Sequence, residues 1–64
     1  MSYILLYNER YGYFESFHNG YMHHTHDFHN AVNYKYLDEA MRMRDYYNAR
    51  YDGDYHIEVF TVEG

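Results

Sequence analysis

The 64-residue chain has no cysteine, no proline and no long hydrophobic run. Without cysteine it can form neither disulfides nor cysteine-ligated zinc sites, two of the usual means of stabilising very small domains. The apolar run at 3–7 is far too short to span a bilayer, and no basic flank marks it as a signal peptide. No linker, repeat or low-complexity segment interrupts the chain. We therefore expect one domain over residues 1–64, located in the cytoplasm.

Leucine, isoleucine and valine are scarce, whereas the chain contains eleven tyrosines and its aromatic fraction is 23%. A chain of this length buries only about 60% of the surface that its unfolded form exposes. It therefore cannot enclose every tyrosine ring and also pair every hydroxyl, so several tyrosines must face solvent. Binding surfaces favour tyrosine because it offers rigid contact area and one polar group at low entropic cost. The surplus indicates a recognition surface.

The formal net charge is −5 with the histidines neutral, which disfavours direct binding to nucleic-acid phosphates. Residues 51–64 contain four acids and neither lysine nor arginine. An ordinary solvated acidic end is one interpretation. The other is an acidic, tyrosine-bearing surface that meets a basic groove on a partner protein. The contact residues predicted by this second interpretation are Tyr51, Asp52, Asp54, Tyr55, Glu58 and Glu63.

Turn signals divide the first twenty residues into two strands. Gly12 can adopt a positive φ at the end of the first turn, and Asn19-Gly20 is the strongest hairpin signal in the chain. Alternation between these turns predicts that Tyr13, Glu15 and Phe17 share one face of the second strand. The predicted strands are 2–8 and 13–18.

Three further elements are predicted beyond the histidine-rich segment. Residues 31–36 predict a short third strand. Asp38 is a good N-cap for a helix that continues to about Arg50, with apolar residues at helical spacing. Residues 55–62 alternate well enough to predict a last strand. The result is an α+β fold of order β-β-β-α-β, with one helix packed on a small antiparallel sheet of three to four strands.

The predicted last strand carries apolar residues on both faces. Ile57 and Val59 lie on one face, and Phe60 and Val62 lie on the other. One face should meet the helix, and the other would stay exposed unless a partner or a second copy covers it. We therefore expect a protein partner or a homodimer.

A histidine cluster at 23–29 contains four histidines and one aspartate. In an extended segment His24 and His26 project from the same face, and His29 is near enough to supply a third nitrogen to a zinc ion. A cysteine-free site nevertheless requires several side chains from a flexible segment to converge closely. We expect no bound metal and no other cofactor. A metal-binding accessory protein organised by these three histidines is the alternative.

The sequence contains no catalytic motif. A nucleophile would have to be a serine or threonine, and Ser16, two residues from His18, has no evident acid to orient that histidine. No glycine-rich phosphate loop is present, and so short a chain has little room for a pocket that excludes water. We predict that the protein is not an enzyme.

Three segments resemble small phage-encoded proteins. They are the opening M-x-Y-I-L-L-Y, the helix start YKYLDEA at 34–40 and the closing strand IEVFTV at 57–62, and together with the helix that the second segment opens they cover about half of the chain. Proteins of this kind with known roles are often inhibitors of bacterial defence, including anti-CRISPR proteins. The resemblance implies an inhibitor that binds a host nuclease complex and blocks nucleic-acid binding or complex assembly. A homo-oligomeric structural module remains a further alternative.

Overall fold

The computed structural model describes residues 1–63 as one antiparallel sheet with one helix packed on it. The elements are β1 (Ser2–Asn8), β2 (Gly12–His18), β3 (Tyr21–Thr25), a 3-10 turn (Phe28–Asn30), α1 (Leu37–Tyr51) and β4 (His56–Thr61). The sheet order is β3-β2-β1-β4, which confirms the predicted α+β fold and its β-β-β-α-β order. Among residues 1–63, no helix has both the length and the apolar character needed to cross a membrane.

Both predicted hairpin turns are confirmed by their backbone angles. Asn19 and Gly20 have φ values of 53° and 80°, which suits the right-handed twist of the flanking strands. Gly12 has φ 99°, and a Cβ atom there would lie 2.7 Å from the carbonyl oxygen of Thr25. Any other residue at position 12 would therefore suffer both backbone strain and a clash with neighbouring backbone.

The predicted third strand at 31–36 is wrong, because the histidine segment Tyr21–Thr25 takes that place as β3. Residues 32–34 instead insert between β1 and β2. The Val32 N–H donates to the carbonyl of Phe14 on β2 at 3.1 Å, and the Tyr34 N–H donates to the carbonyl of Ile4 on β1 at 2.9 Å. The segment thus divides its hydrogen bonds between two strands and forms a regular ladder with neither.

The insertion explains why β1 and β2 pair over so short a distance. Their register joins only Tyr7 with Tyr13 and Asn8 with Gly12, next to the turn. Farther from the turn, where β1 is no longer paired with β2, the side chain of Asn33 bonds to β1. Its amide donates to the carbonyl of Ser2, and its Oδ1 accepts from the N–H of Ile4. The amide side chain therefore supplies the pairing that a neighbouring strand would otherwise provide.

The predicted alternation of β2 is wrong beyond Glu15. The pairing of β2 with β3 shifts register between Phe14 and Ser16, as in a β-bulge. The extra residue returns Phe17 to the face of Phe14, where its ring lies 5.1 Å from that of Tyr51 on α1. The helix face of β2 therefore carries two phenylalanines.

The helix begins two residues earlier than predicted, and Asp38 is not its N-cap. The N-cap is Tyr36, whose side chain makes no capping hydrogen bond, and Asp38 lies in the first turn, where a carboxylate suits the helix dipole. The helix ends at Tyr51. Asp52 then adopts a left-handed conformation with φ 51°, and its N–H donates to the carbonyl of Tyr47.

The two faces of the sheet are covered differently. The core between sheet and helix consists of Leu6, Phe14, Ala40, Tyr47 and Tyr55. On the opposite face Leu5 is fully buried and Tyr3 is almost so, because the ring of Phe28 in the 3-10 turn packs on Tyr3 at 5.1 Å. The rings of Tyr3 and Phe28 also contact Phe60 on β4, at 5.3 and 5.1 Å, so the chain covers part of this face with its own residues. The expectation of a partner or a second copy on the last strand stays a prediction.

Candidate functional site

A concave surface lies beside the loop after α1 and takes its other residues from the β1–β2 turn and from β3 with the turn before it. It has two adjoining parts, which share Asn8, Tyr11 and Asp52. The first, the tyrosine cleft, has a volume of about 350 Å³ and takes its principal side chains from Tyr11, Tyr21, Met22, His24, Tyr51, Asp52 and Tyr55. The second, the acidic hollow, measures about 360 Å³ and adds Glu9, Arg10 and Asp54.

Asn8 fixes the positions of the two loops that form this surface. Its side chain is buried, and its amide donates to the carbonyl of Gly53 in the loop after α1. Its Oδ1 accepts from the N–H groups of Arg10 and Tyr11 at 2.8 and 2.9 Å, which fixes the β1–β2 turn. One side chain thus holds Tyr11 at a set position relative to the end of the helix.

A second asparagine holds the residue that follows the helix loop. The Oδ1 of Asn48 accepts from the N–H of Tyr55 at 2.8 Å, and its amide donates to the carbonyl of Tyr55 at 3.0 Å. Gly53 is buried between them, and a Cβ there would lie 2.5 Å from the Tyr55 ring. The loop therefore packs against Tyr55 so closely that it has no room for a side chain at position 53.

A stack of three rings connects the cleft with the core. The ring of Tyr11 lies 5.3 Å from that of His24, which in turn lies 5.7 Å from that of Tyr55, and His24 Nε2 hydrogen-bonds to the Tyr55 hydroxyl. Burial, followed by the charge of His23, lowers the pKa of His24. Burial, followed by the proximity of Tyr47, raises the pKa of Tyr55 to about 12. Both groups of this hydrogen bond are therefore neutral near pH 7.

The lowered pKa of His24 predicts a loss of stability in mild acid. In the unfolded chain the imidazole binds a proton near its ordinary pKa of 6.5, whereas the folded state resists protonation. The unfolded state therefore takes up more protons, and the contribution of His24 to stability, complete above the unfolded pKa, is lost as the pH falls through the folded pKa. We expect the urea midpoint to fall between about pH 7.5 and about pH 5, and to fall less in His24→Gln. An unchanged pH dependence in His24→Gln, matching that of the exposed-site control His18→Gln, would contradict this assignment.

The predicted partner-binding residues fall into three separate places. Tyr51, Asp52 and Asp54 lie together at the concave surface. Glu58 lies on the sheet face away from the helix, where it accepts from the Tyr13 hydroxyl at 3.2 Å. Glu63 follows the far end of β4, close to where the carbonyl of Met1 accepts from Val62. These six residues therefore do not form one continuous patch.

Tyr55 requires a separate correction, because it was predicted as a surface contact. Only 4% of its surface is exposed, and its ring packs among Phe14, Tyr47 and His24. It contributes to the floor of the tyrosine cleft but belongs to the core of the fold. Its role in partner binding stays a prediction, and only the part of its ring on the cleft floor is open to a partner.

The three candidate metal ligands are not brought together. His24 faces the helix side and contacts Tyr55, whereas His29 lies on the other side of the sheet, with Nδ1 3.5 Å from the Tyr3 hydroxyl. His26 is exposed beside the β1–β2 turn. Within residues 1–63, no three histidine, aspartate or glutamate side chains are placed to hold one metal ion.

Sequence reasoning missed Glu9, Tyr11 and Tyr21, which belong to this surface. Each lies in or beside a turn that the sequence marked clearly. A tyrosine in a turn does not pack on a strand face, so the two turns were signals for exposed rings. The sequence could not show that these residues share one surface with the end of the helix. For Glu9 and Tyr11 that placement depends on the Asn8 bond to Gly53.

The surface offers chemistry suited to recognition. It combines exposed aromatic rings, carboxylates and one guanidinium on loops whose backbones are fixed by buried hydrogen bonds. Comparison with known proteins finds no matching family, no similar curated protein and no similar solved structure. The geometry of this surface therefore has to support any functional proposal.

Proposed function

We propose that the protein is a small non-enzymatic inhibitor whose concave surface occupies the basic groove of a nucleic-acid-binding protein complex. The observation that supports this proposal is the collection of three carboxylates and three exposed tyrosines on two adjoining hollows. The carboxylates belong to Glu9, Asp52 and Asp54, and the rings to Tyr11, Tyr21 and Tyr51.

The combination imitates the two features by which proteins hold a single strand of nucleic acid. Such proteins attract the phosphates with basic side chains and stack the bases on flat side chains. In the inhibitor, carboxylates take the place of phosphates and phenolic rings take the place of bases. Charge complementarity with a basic groove speeds association and favours that partner over others.

The resemblance to phage-encoded inhibitors supplies the finer part of the proposal. It makes the partner a host defence complex, of the CRISPR type or another nuclease assembly, in the cytoplasm of an infected bacterium. The inhibitor would act by occupancy, so no catalytic group is needed.

Reversal of charge in the acidic hollow tests the proposal. In Asp52→Lys with Asp54→Lys, two lysines would face the basic groove and repel it, which we expect to weaken binding by about 2 kcal/mol, or roughly thirtyfold. The measurement is capture from bacterial lysate, identification of the complex by mass spectrometry, and its affinity for each variant. The captured complex should bind nucleic acid. Added heparin should compete for the basic groove and release the complex from the inhibitor.

The matched control is Glu15→Lys with Glu63→Lys. Both residues are exposed and lie outside the concave surface, and the pair changes the net charge by the same amount. We expect the affinity of the control to stay within about threefold of that of the parent, because dissolved salt screens exposed charges that lie far from the contact. Equal losses in the two variants, or a captured partner that heparin cannot displace, would rule out a localised acidic contact with a nucleic-acid groove.

A further inference from the structure

The wall of the tyrosine cleft has an unusual composition for a site on an otherwise mixed surface. Its side chains include no lysine and no arginine, and its one carboxylate is that of Asp52. Three tyrosines line it with large exposed fractions, which are 53% for Tyr11, 73% for Tyr21 and 41% for Tyr51. A concave site with exposed rings and an acid favours a cation that can also pack against aromatic faces.

The local potential of the cleft is negative for reasons beyond Asp52. The helix α1 ends at Tyr51, and the C-terminal end of a helix carries partial negative charge. The acidic hollow adjoins the cleft and adds the carboxylates of Glu9 and Asp54 against the one guanidinium of Arg10. His24 brings no opposing positive charge near pH 7, because burial lowers its pKa.

Contacts within the chain show that its tyrosine rings accept cations. The guanidinium groups of Arg10 and Arg50 lie 5.9 and 5.5 Å from the centres of the Tyr11 and Tyr46 rings. The ammonium of Lys35 lies 5.7 Å from the centre of the Tyr36 ring, so the preference for arginine rests on the planar shape of its group and not on these contacts. Tyr21, by contrast, makes no ring–ring or cation–ring contact within residues 1–63 and is mostly exposed. Its ring is therefore open to a cation from another molecule.

We propose that the tyrosine cleft binds the guanidinium group of an arginine side chain on the partner protein. The planar group stacks on the exposed tyrosine rings while its N–H groups donate to the carboxylate of Asp52, a combination that a lysine ammonium cannot reproduce. A volume of about 350 Å³ suits one side chain and lies at the lower end for binding sites. This inference rests on the proposed function, since basic grooves that hold nucleic acid are rich in arginine.

The test uses three short peptides that differ only at a central residue, which is arginine, lysine or citrulline. Citrulline keeps the shape of arginine without its charge. Binding is followed by chemical-shift changes in the parent protein labelled with ¹⁵N and ¹³C. We expect the arginine peptide to bind with millimolar affinity, to perturb the signals of Tyr21, Tyr51 and Asp52, and to bind about fivefold more tightly than either other peptide.

Three variants locate the contact. Asp52→Asn removes the charge while asparagine tolerates the left-handed backbone at this position, and Tyr21→Leu and Tyr51→Leu replace the rings with apolar side chains. Each should weaken arginine-peptide binding about fivefold, whereas Tyr36→Leu and Asp38→Asn, exposed elsewhere, should leave it unchanged. Unchanged amide spectra away from the cleft would verify that each variant is folded.

Several outcomes would overturn the inference. These are equal binding of the citrulline peptide, tighter binding of the lysine peptide or of tetramethylammonium, shift changes centred on another surface, and no shift changes at all. The result is also separable from the proposed function. Lysate capture that survives Tyr21→Leu and Tyr51→Leu leaves inhibition standing without this site, while arginine-peptide binding without any captured complex leaves the site standing without that function.

Discussion

Replacing Tyr55 with alanine is expected to lower the free energy of unfolding by about 3–5 kcal/mol. The apolar contacts of a buried ring are lost, and the cavity closes only in part. Small domains have a total stability of roughly 0.05–0.15 kcal/mol per residue, or about 3–10 kcal/mol for a chain of this length, so the change removes about a third of the stability or more. The ring of Tyr55 contacts Phe14, Tyr47 and His24, which ties three elements of the fold together.

Urea denaturation followed by far-ultraviolet circular dichroism measures the effect. Tyr55→Phe keeps the ring and loses only the hydroxyl bond to His24, so we expect it to cost about 1 kcal/mol. Tyr46→Ala is the matched control, because that tyrosine is 44% exposed on α1. A Tyr55→Ala protein with the urea midpoint of Tyr46→Ala would show that the ring does not hold the core. Any loss of partner binding in Tyr55→Ala should follow from this loss of stability.

Asn8→Leu is expected to destabilise the protein by about 3 kcal/mol, although leucine has a similar size. The change removes three hydrogen bonds and leaves the N–H groups of Arg10 and Tyr11 and the carbonyl of Gly53 without their partner. Buried polar groups that lose a partner cost about 1–3 kcal/mol each, and water reaching the turn offsets part of the total. Urea denaturation measures the loss, and Asn30→Leu, at an exposed asparagine, provides the control.

Asn8→Asp separates the two kinds of bond at this position. The carboxylate still accepts from the two turn amides but can no longer donate to the carbonyl of Gly53, which it repels. Protonation restores a donor, so the difference in stability between the variant and the parent should shrink as the pH falls through the pKa of that carboxyl. The same difference at every pH would mean that the bond to Gly53 contributes little.

The elements that local chemistry dictates were predictable from the sequence. Asn19-Gly20 and Gly12 permit the positive φ values that their turns require, so the two hairpin turns could be placed to the residue. The spacing of apolar residues over four turns predicted the helix, and the turn-forming residues 52–54 predicted where it ends. The N-cap was misjudged, because Asp38 serves equally well within the first turn, and propensity alone does not separate these positions.

Features that depend on distant partners could not be predicted. The β-bulge beside Glu15 has no glycine to mark it, and it moves Phe17 to the helix side only because Tyr47 and Tyr51 offer rings there. Tyr55 belongs to a stretch that is otherwise acidic and exposed, so composition indicated surface where packing makes it core. The histidines alternate sides on β3 and beyond, which disperses a cluster that is dense only in the sequence.

The insertion of residues 32–34 makes the two halves of the sheet a single cooperative unit. Val32 is bonded to the β2–β3 hairpin and Tyr34 to the β1–β4 pair, so neither half can open without releasing the other. The tyrosine cleft takes Tyr21 from the hairpin and Tyr51 from the helix, where the Tyr51 ring packs on Phe17 of that same hairpin at 5.1 Å. Its shape therefore survives as long as the fold does, and a ligand meets a site that was ordered during folding, with little further loss of entropy on binding.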